Sequence, residues 1–218
     1  MSGRPTAALR PSGRQRRLDI LEATLRIMRR DGLRAVSHRT VAAEARVPLA
    51  STTYYFSDLE DLITESFLHW SQTSREQTSE FHATALAVLQ RARNEGTAPE
   101  GLVAGLADVA AVYVVDQVTK HRSERVLEFA FLHEAARMPR LRAVVRQRQS
   151  EDLRFLEEFH AALGSRQSGI DAQISYSLLL GLEKSALLAD EGEAGLAATR
   201  RVLVSYLARV VPAATGSG

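Results

Sequence analysis

From residue 16 onward the apolar residues of this 218-residue chain recur at spacings of three and four. Valine, isoleucine and threonine alternate with polar residues over no more than a few positions at a time. Such periodicity marks one face of a helix with 3.6 residues per turn and not a pleated strand, so it restricts the chain to an all-α fold. Leu18, Leu21, Leu25 and Met28 share a face between Arg16 and Asp31, with Gly32 placed to stop the helix. Ser37 is a good N-cap for a short helix through Ala45 that turns Val41 and Ala42 inward. Thr40 stands at its third position, where Glu or Gln would close a capping box, so an incomplete box is expected. Arg46-Val47-Pro48 breaks this helix, and Pro48 can open a third from Leu49 to Phe56.

Ser57-Asp58 caps a long helical stretch to Leu89, and residues 94–99 form a loop. Helices follow at 100–119, 123–137 and 139–163, then a loop at 164–169 and two last helices at 171–189 and 193–211. No repeat of solenoid length is present. The expected organisation is a flexible basic arm at 1–13, a three-helix helix-turn-helix domain at 14–57, a larger C-terminal helical domain at 58–212, and a disordered tail at 213–218.

Composition narrows the functional classes. With 45% hydrophobic and 25% charged residues the chain is globular in type. The absence of cysteine excludes a disulfide scaffold, a thiolate metal site and a cysteine nucleophile, and it fits a reducing compartment. The most apolar segment, Gly101 to Val118, is interrupted by Asp108 and ends near Asp116, so no membrane partner is expected. No apolar run follows Arg4, Arg10 and Arg14 as a secretory signal would require, and a cytoplasmic location is expected. The net charge of +2 conceals a split: residues 1–57 hold eleven arginines against four carboxylates, a net +7, and the remainder carries −5. A basic quarter on an acidic body suits a polyanion at one end.

Two short helices joined by a tight turn, behind a longer helix and inside the basic quarter, form a helix-turn-helix pattern whose second helix can enter the major groove of double-stranded DNA. The candidate reading helix carries Leu49, Ala50, Ser51, Thr52, Thr53, Tyr54 and Tyr55: small hydroxyls and apolar groups for base edges and thymine methyls, then phenols for phosphates. Ser37, His38, Arg39 and Thr40 at the start of the preceding helix are candidate phosphate contacts, as are Arg14, Arg16 and Arg17.

Ile20-Leu21, Ala23, Met28, Gly32, Ser37, Val41-Ala42, Ala45, Val47, Tyr55-Phe56-Ser57-Asp58 and Leu62, in this order and spacing over residues 16–62, closely resemble the N-terminal domain of the TetR family of bacterial transcriptional regulators. The resemblance implies an all-helical homodimer whose larger domain binds a small effector and thereby releases an operator. It places Ser37, Arg39, Thr40, Ser51, Thr52, Tyr54 and Tyr55 at or near DNA. Four positions depart from the family pattern: Arg46 and Ala50 replace glycines, Thr53 replaces a tyrosine, and Leu59 replaces a lysine.

The last two helices point independently to a dimer. Ile174, Leu178, Leu182 and Ala186 line one face of the first, while Leu179, Leu180, Leu187 and Leu188 make other faces apolar. Leu196, Leu203, Leu207 and Val210 do the same for the second, and a helix apolar on several sides needs two partners. Candidate effector contacts are the aromatic and polar residues Phe67, Trp70, Phe81, Tyr113, Phe129, His133, Phe155 and Tyr176. No cofactor, metal site or catalytic constellation is expected. His133-Glu134 begins like a zinc-protease motif, yet Arg137 stands where the second histidine belongs, and no P-loop, G-x-G-x-x-G or G-x-S-x-G occurs. The competing classes are a helical protein adaptor, which gives no reason for the +7 quarter, and an enzyme without a local motif.

Overall fold

The computed structural model describes residues 11–189 and 193–212, so most of the expected arm and the whole expected tail lie outside the described residues. Within them the chain forms α1 (Pro11–Asp31), a single 3₁₀ turn (Leu33–Ala35), α2 (His38–Glu44), α3 (Leu49–Tyr55), α4 (Leu59–Glu95), α5 (Pro99–Thr119), α6 (Arg122–Ala135), α7 (Pro139–Ala162), α8 (Ser168–Ala189) and α9 (Glu193–Val210). No strand occurs among the described residues, as the apolar spacing requires. Two boundaries differ from expectation by five residues or more. The first helix starts at Pro11, since proline's fixed φ suits a first helical residue and its missing N–H would have no partner there. The long helix α4 continues to Glu95, because Asn94 and Glu95 tolerate helix and only Gly96, with φ 63°, ends it.

The chain divides into two compact units. Residues 1–73 with 126–144 make the first, and residues 74–125 with 145–218 make the second. The sequence had suggested a single cut at 57/58. The observed division is interleaved, with its boundaries falling inside α4, α6 and α7.

In the first unit α1 buries Ile20, Leu21, Leu25 and Met28, α2 buries Val41 and Ala42, and Phe56 closes the turn after α3 at 1% exposure. Leu62, Ile63, Phe67 and Trp70 from α4 are buried with Leu127 and Phe131 from α6 and Leu141 from α7. The Phe67 and Phe131 rings meet edge-on at 5.2 Å, and Trp70 lies 5.8 Å from Phe131. Three rings at such spacings are a packed core. Asp58 opens α4 by accepting the Asp61 amide at 2.8 Å and is held by Arg140, whose Nη2 lies 2.8 Å from its Oδ2.

The second unit is built around α5, which packs against α8 and α9. Its small residues Ala107, Ala110 and Ala111 are buried with Leu106, Leu203, Leu207, Phe159 and Leu89. By length and composition α5 is apolar enough to cross a membrane, but Val103, Leu106, Ala107, Ala110, Ala111, Val114, Gln117 and Val118 are buried within the unit, so it reads as the unit's central core helix. A buried ion pair joins Arg125 to Glu183, Nη1 to Oε2 at 3.2 Å, and the same guanidinium donates to Gln117 Oε1 at 2.7 Å. Buried charges persist where such partners replace water.

Candidate nucleic-acid interface and internal cavities

The helix-turn-helix geometry arises from local chemistry. Ser37 Oγ accepts the Thr40 amide at 3.1 Å, and Thr40 Oγ1 accepts the Ser37 amide at 2.9 Å. The capping box is therefore complete, contrary to expectation, because a threonine hydroxyl reaches the same amide that a Glu or Gln would. α2 ends at Ala45 through Arg46, which has φ 55°; its amide bonds Ala43 O at 3.2 Å and the Val47 amide bonds Ala42 O at 3.0 Å. Those two bonds satisfy the last carbonyls of α2 and turn the chain into Pro48 and α3.

On α3, Leu49 is 50% exposed and Tyr54 75%, with Ala50 and Thr53 also exposed. Ser51 and Tyr55 are half-buried, and the two tyrosine rings meet edge-on at 5.0 Å. Thr52 corrects the sequence reading: it is fully buried and its hydroxyl donates to Leu49 O at 2.8 Å, so it cannot reach a base edge. With Phe56 one turn further on, Thr52 forms the inner face of α3. At the start of α2, Arg39 and Thr40 are exposed, while His38 is half-buried. Of the amides expected there, that of Thr40 is occupied by the cap. On α1, Arg14 and Arg16 are exposed. Arg17 is instead held by Glu65 and lies 5.3 Å above the Phe56 ring, a structural contact.

Among its described residues the second unit lines an outer and an inner cavity. The outer one, of about 370 Å³, is lined by Glu80, Asp108 and Asp116 together with Phe81, Tyr113 and Gln117, among others. Phe81 and Tyr113 stack at 4.3 Å and 22°. Asp116 is paired with Lys120 at 2.8 Å and Asp108 with Arg200. The inner one, of about 50 Å³, is mostly apolar, with Leu106, Leu203 and Leu207 alongside His160, Ser175 and Tyr206. Phe81 lines both.

The polar side of the inner chamber is a single chain of hydrogen bonds. Tyr206 Oη donates to Asp171 O at 2.9 Å, Ser175 Oγ donates to Tyr206 Oη at 3.1 Å, and His160 Nε2 lies 2.7 Å from Ser175 Oγ. Burial raises the Tyr206 pKa and lowers that of His160, so both stay neutral near pH 7. Nearby, His82 stacks on Phe155 at 3.4 Å and 10°, and burial with the adjacent Arg148 charge pushes its pKa down to about 4.

Several expected effector contacts lie elsewhere. Phe67 and Trp70 are core of the first unit, and Phe129 and His133 belong to that unit as well, His133 being exposed. Tyr113, Phe155 and Tyr176 belong to the second unit, and of these Tyr113 lines the outer cavity. The aromatic periodicity shared by cores and pockets could not separate them. The expected dimer residues need a similar correction. Leu203, Leu207 and Val210 are at most 8% exposed, and Leu178, Leu182 and Leu196 pack against the same core. Ala186 is half-buried, and Ile174 is 45% exposed. The small residues of α5 draw the leucines of α9 inward, leaving Ile170, Ile174, Leu188 and Val202 as the apolar surface of α8 and α9. Two arginines of α7 are held within the protein: Arg142 donates to the carbonyls of Ala135 and Ala136, and Arg148 bonds Asp152 and Thr78. Among the described residues no group of three His, Asp or Glu side chains is placed to hold a metal ion.

A family model for the C-terminal domain of tetracyclin repressor-like proteins matches residues 97–213, more than half of the chain. The chain belongs to the TetR family. No curated protein sequence matches this TetR-family protein. Solved structures do. One described as a member of the TetR family from Streptomyces coelicolor A3 is 28% identical, with a TM-score of 0.58 over 91% of this chain and 99% of that one. The multidrug binding protein EbrR complexed with ethidium is 29% identical, with a TM-score of 0.60 over 91% and 99% of the two chains. The same protein complexed with proflavin is 29% identical, with a TM-score of 0.56 over 88% and 99%.

Proposed function

We propose that this TetR-family protein is a homodimeric transcriptional repressor that holds a palindromic double-stranded DNA operator and leaves it when a small effector binds the second unit. The observation that carries the reading is the outer face of α3, where Leu49, Ala50, Thr53 and Tyr54 stand exposed, together with Arg39, exposed in the first turn of the capped helix α2. An apolar side chain and a phenol left in water on a two-turn helix suit thymine methyls and a phosphate. Arg14, Arg16 and Arg39 supply sequence-independent attraction. Ser51 and Tyr55 flank the reading face, and Thr52 supports it from within.

Ile170, Ile174, Leu188 and Val202 are the surface on which two copies meet, since such side chains gain most by leaving water. The outer cavity is the effector site, for a flat, cationic molecule. Glu80, added to Asp116 and Asp108 that are already paired with Lys120 and Arg200, leaves the lining net negative and so favours positive charge, and the Phe81–Tyr113 stack offers an aromatic face. EbrR, whose solved complexes hold ethidium and proflavin, gives independent support. Binding, not catalysis, is the activity.

The test is selection of duplexes from a random library by the full-length protein, with the enriched duplex titrated across salt concentrations and with proflavin. An enriched palindrome, bound as a dimer with a steep salt dependence and released by proflavin, is expected. A folded protein that enriches no duplex, with or without proflavin, overturns the reading.

A further inference from the structure

The hydrogen bonds around His160 have one consistent direction. The Asp171 carbonyl can only accept, so the single Tyr206 hydroxyl proton is committed to it. Ser175 must then give its own proton to Tyr206 Oη. With that proton used, Ser175 Oγ can only accept from His160, and Nε2 is the protonated ring nitrogen. Nδ1 is left as a bare lone pair. It is buried with no hydrogen-bond partner, on a side chain that is 1% exposed and lines the inner chamber.

An unpaired buried acceptor is costly and rare. The chamber around it holds about 50 Å³, the room of an amino or hydroxyl group. Its partition from the outer cavity is the Phe81 side chain, which lines both spaces.

We infer that the inner chamber is the anchoring subsite for a hydrogen-bond donor: an effector seated in the outer cavity displaces Phe81 and places an N–H or O–H on His160 Nδ1. This rests on the outer cavity being the effector site, and it narrows the class to flat cationic molecules with a hydrogen-bond donor at one end. Because Ser175, Tyr206 and Asp171 fix the tautomer, an acceptor-only group meets a lone pair and is rejected. Specificity for a donor is strong where a buried group is otherwise left unpaired.

The experiment compares two probes, proflavin and acridine orange, which share a cationic acridine ring. The first carries two amino groups and the second has both fully methylated, with no donor on those nitrogens. Fluorescence titration of the full-length protein should give proflavin roughly tenfold tighter binding. His160→Gln keeps a donor near the Nε2 position for Ser175 and removes Nδ1, so it should bring the two affinities together while leaving that for acridine orange unchanged. Equal binding of the two dyes to the unaltered protein, or a preference that survives in His160→Gln, overturns the inference and leaves the outer cavity standing as the site. Failure of both dyes to bind overturns the reading of the outer cavity, and the inference with it. Should His160→Gln not fold, ¹⁵N-histidine spectra of the unaltered protein decide: proflavin should shift the Nδ1 resonance of His160 as its lone pair accepts a bond, and an unmoved Nδ1 resonance overturns the inference.

Discussion

The Val47 amide reaches back to the Ala42 carbonyl at 3.0 Å, and the residue it spans, Arg46, has φ 55°. Among the described residues Arg46 is the one non-glycine with positive φ. A side chain there crowds the following carbonyl, a strain of about 1 kcal/mol. Arg46→Gly should therefore raise unfolding free energy by up to about 1 kcal/mol, because relief of strain outweighs the added freedom of the unfolded glycine. Urea unfolding checks this, and an unchanged or lower midpoint would argue against a strained turn.

The Ser37 and Thr40 hydroxyls each cap the other's amide. Replacing Thr40 by Val should cost about 1 kcal/mol, whereas Thr40→Glu should restore most of it. Thermal denaturation of the two variants is the measurement. Equal losses would assign Thr40 some role other than the cap.

Thr52 and Tyr54, two residues apart, should part company. Thr52→Ala removes a buried methyl and hydroxyl and is expected to lower stability by about 1–2 kcal/mol. Tyr54→Ala should leave stability within about 0.5 kcal/mol and weaken operator binding instead. Melting and duplex titration on both variants read the difference.

For the Arg125–Glu183 pair the expected asymmetry is large. Glu183→Leu alone leaves a buried guanidinium without its carboxylate and should cost about 3–5 kcal/mol. Combining it with Arg125→Met should recover most of that loss, since two apolar side chains of similar size need no charge partner. A double-mutant cycle in urea provides the coupling energy.

Acid should destabilise the second unit before carboxylates titrate. His82, pushed by burial and Arg148 down to about 4, and His160, lowered by burial, bind protons more readily when unfolded, where the ordinary value is 6.5. The unfolded state gains those protons as pH falls, so stability is complete above about pH 6.5 and declines towards pH 4. Discounted for the partial exposure of the ring, the His82 share is about 1–2 kcal/mol. His82→Phe preserves the stack on Phe155 and should flatten the dependence of the urea midpoint on pH over that window.

The helices of both units were legible because apolar spacing needs no tertiary knowledge: Leu21, Leu25 and Met28 of α1 and Val41 and Ala42 of α2 are buried as their positions require, with Leu18 half-buried on the same face. What escaped was the choice of partner. Leu203 and Leu207 looked free to meet a second copy, but whether an apolar face turns to its own core or outward depends on Ala107, Ala110 and Ala111 nearly a hundred residues earlier. Thr52 escaped for a related reason, since a hydroxyl on a seven-residue helix is equally consistent with base reading and with a bond to Leu49 O. The inner chamber had no sequence signal. His160 is an isolated histidine, and its significance comes from Ser175 and Tyr206 on two other helices.

Phe131 wedges its ring against Phe67 and Trp70, yet it lies some sixty residues further along the chain. The first unit is thus stitched from two stretches, with most of the second unit's opening half threaded between them. A ribosome delivers α1, α2 and α3 long before the ring that fills their neighbour's core. The Phe67 and Trp70 rings of α4 must therefore wait, incompletely packed, until Phe131 has emerged. A fragment cut at residue 73 would lack the Phe131 ring against Phe67 and Trp70, so the first unit is not a detachable N-terminal part.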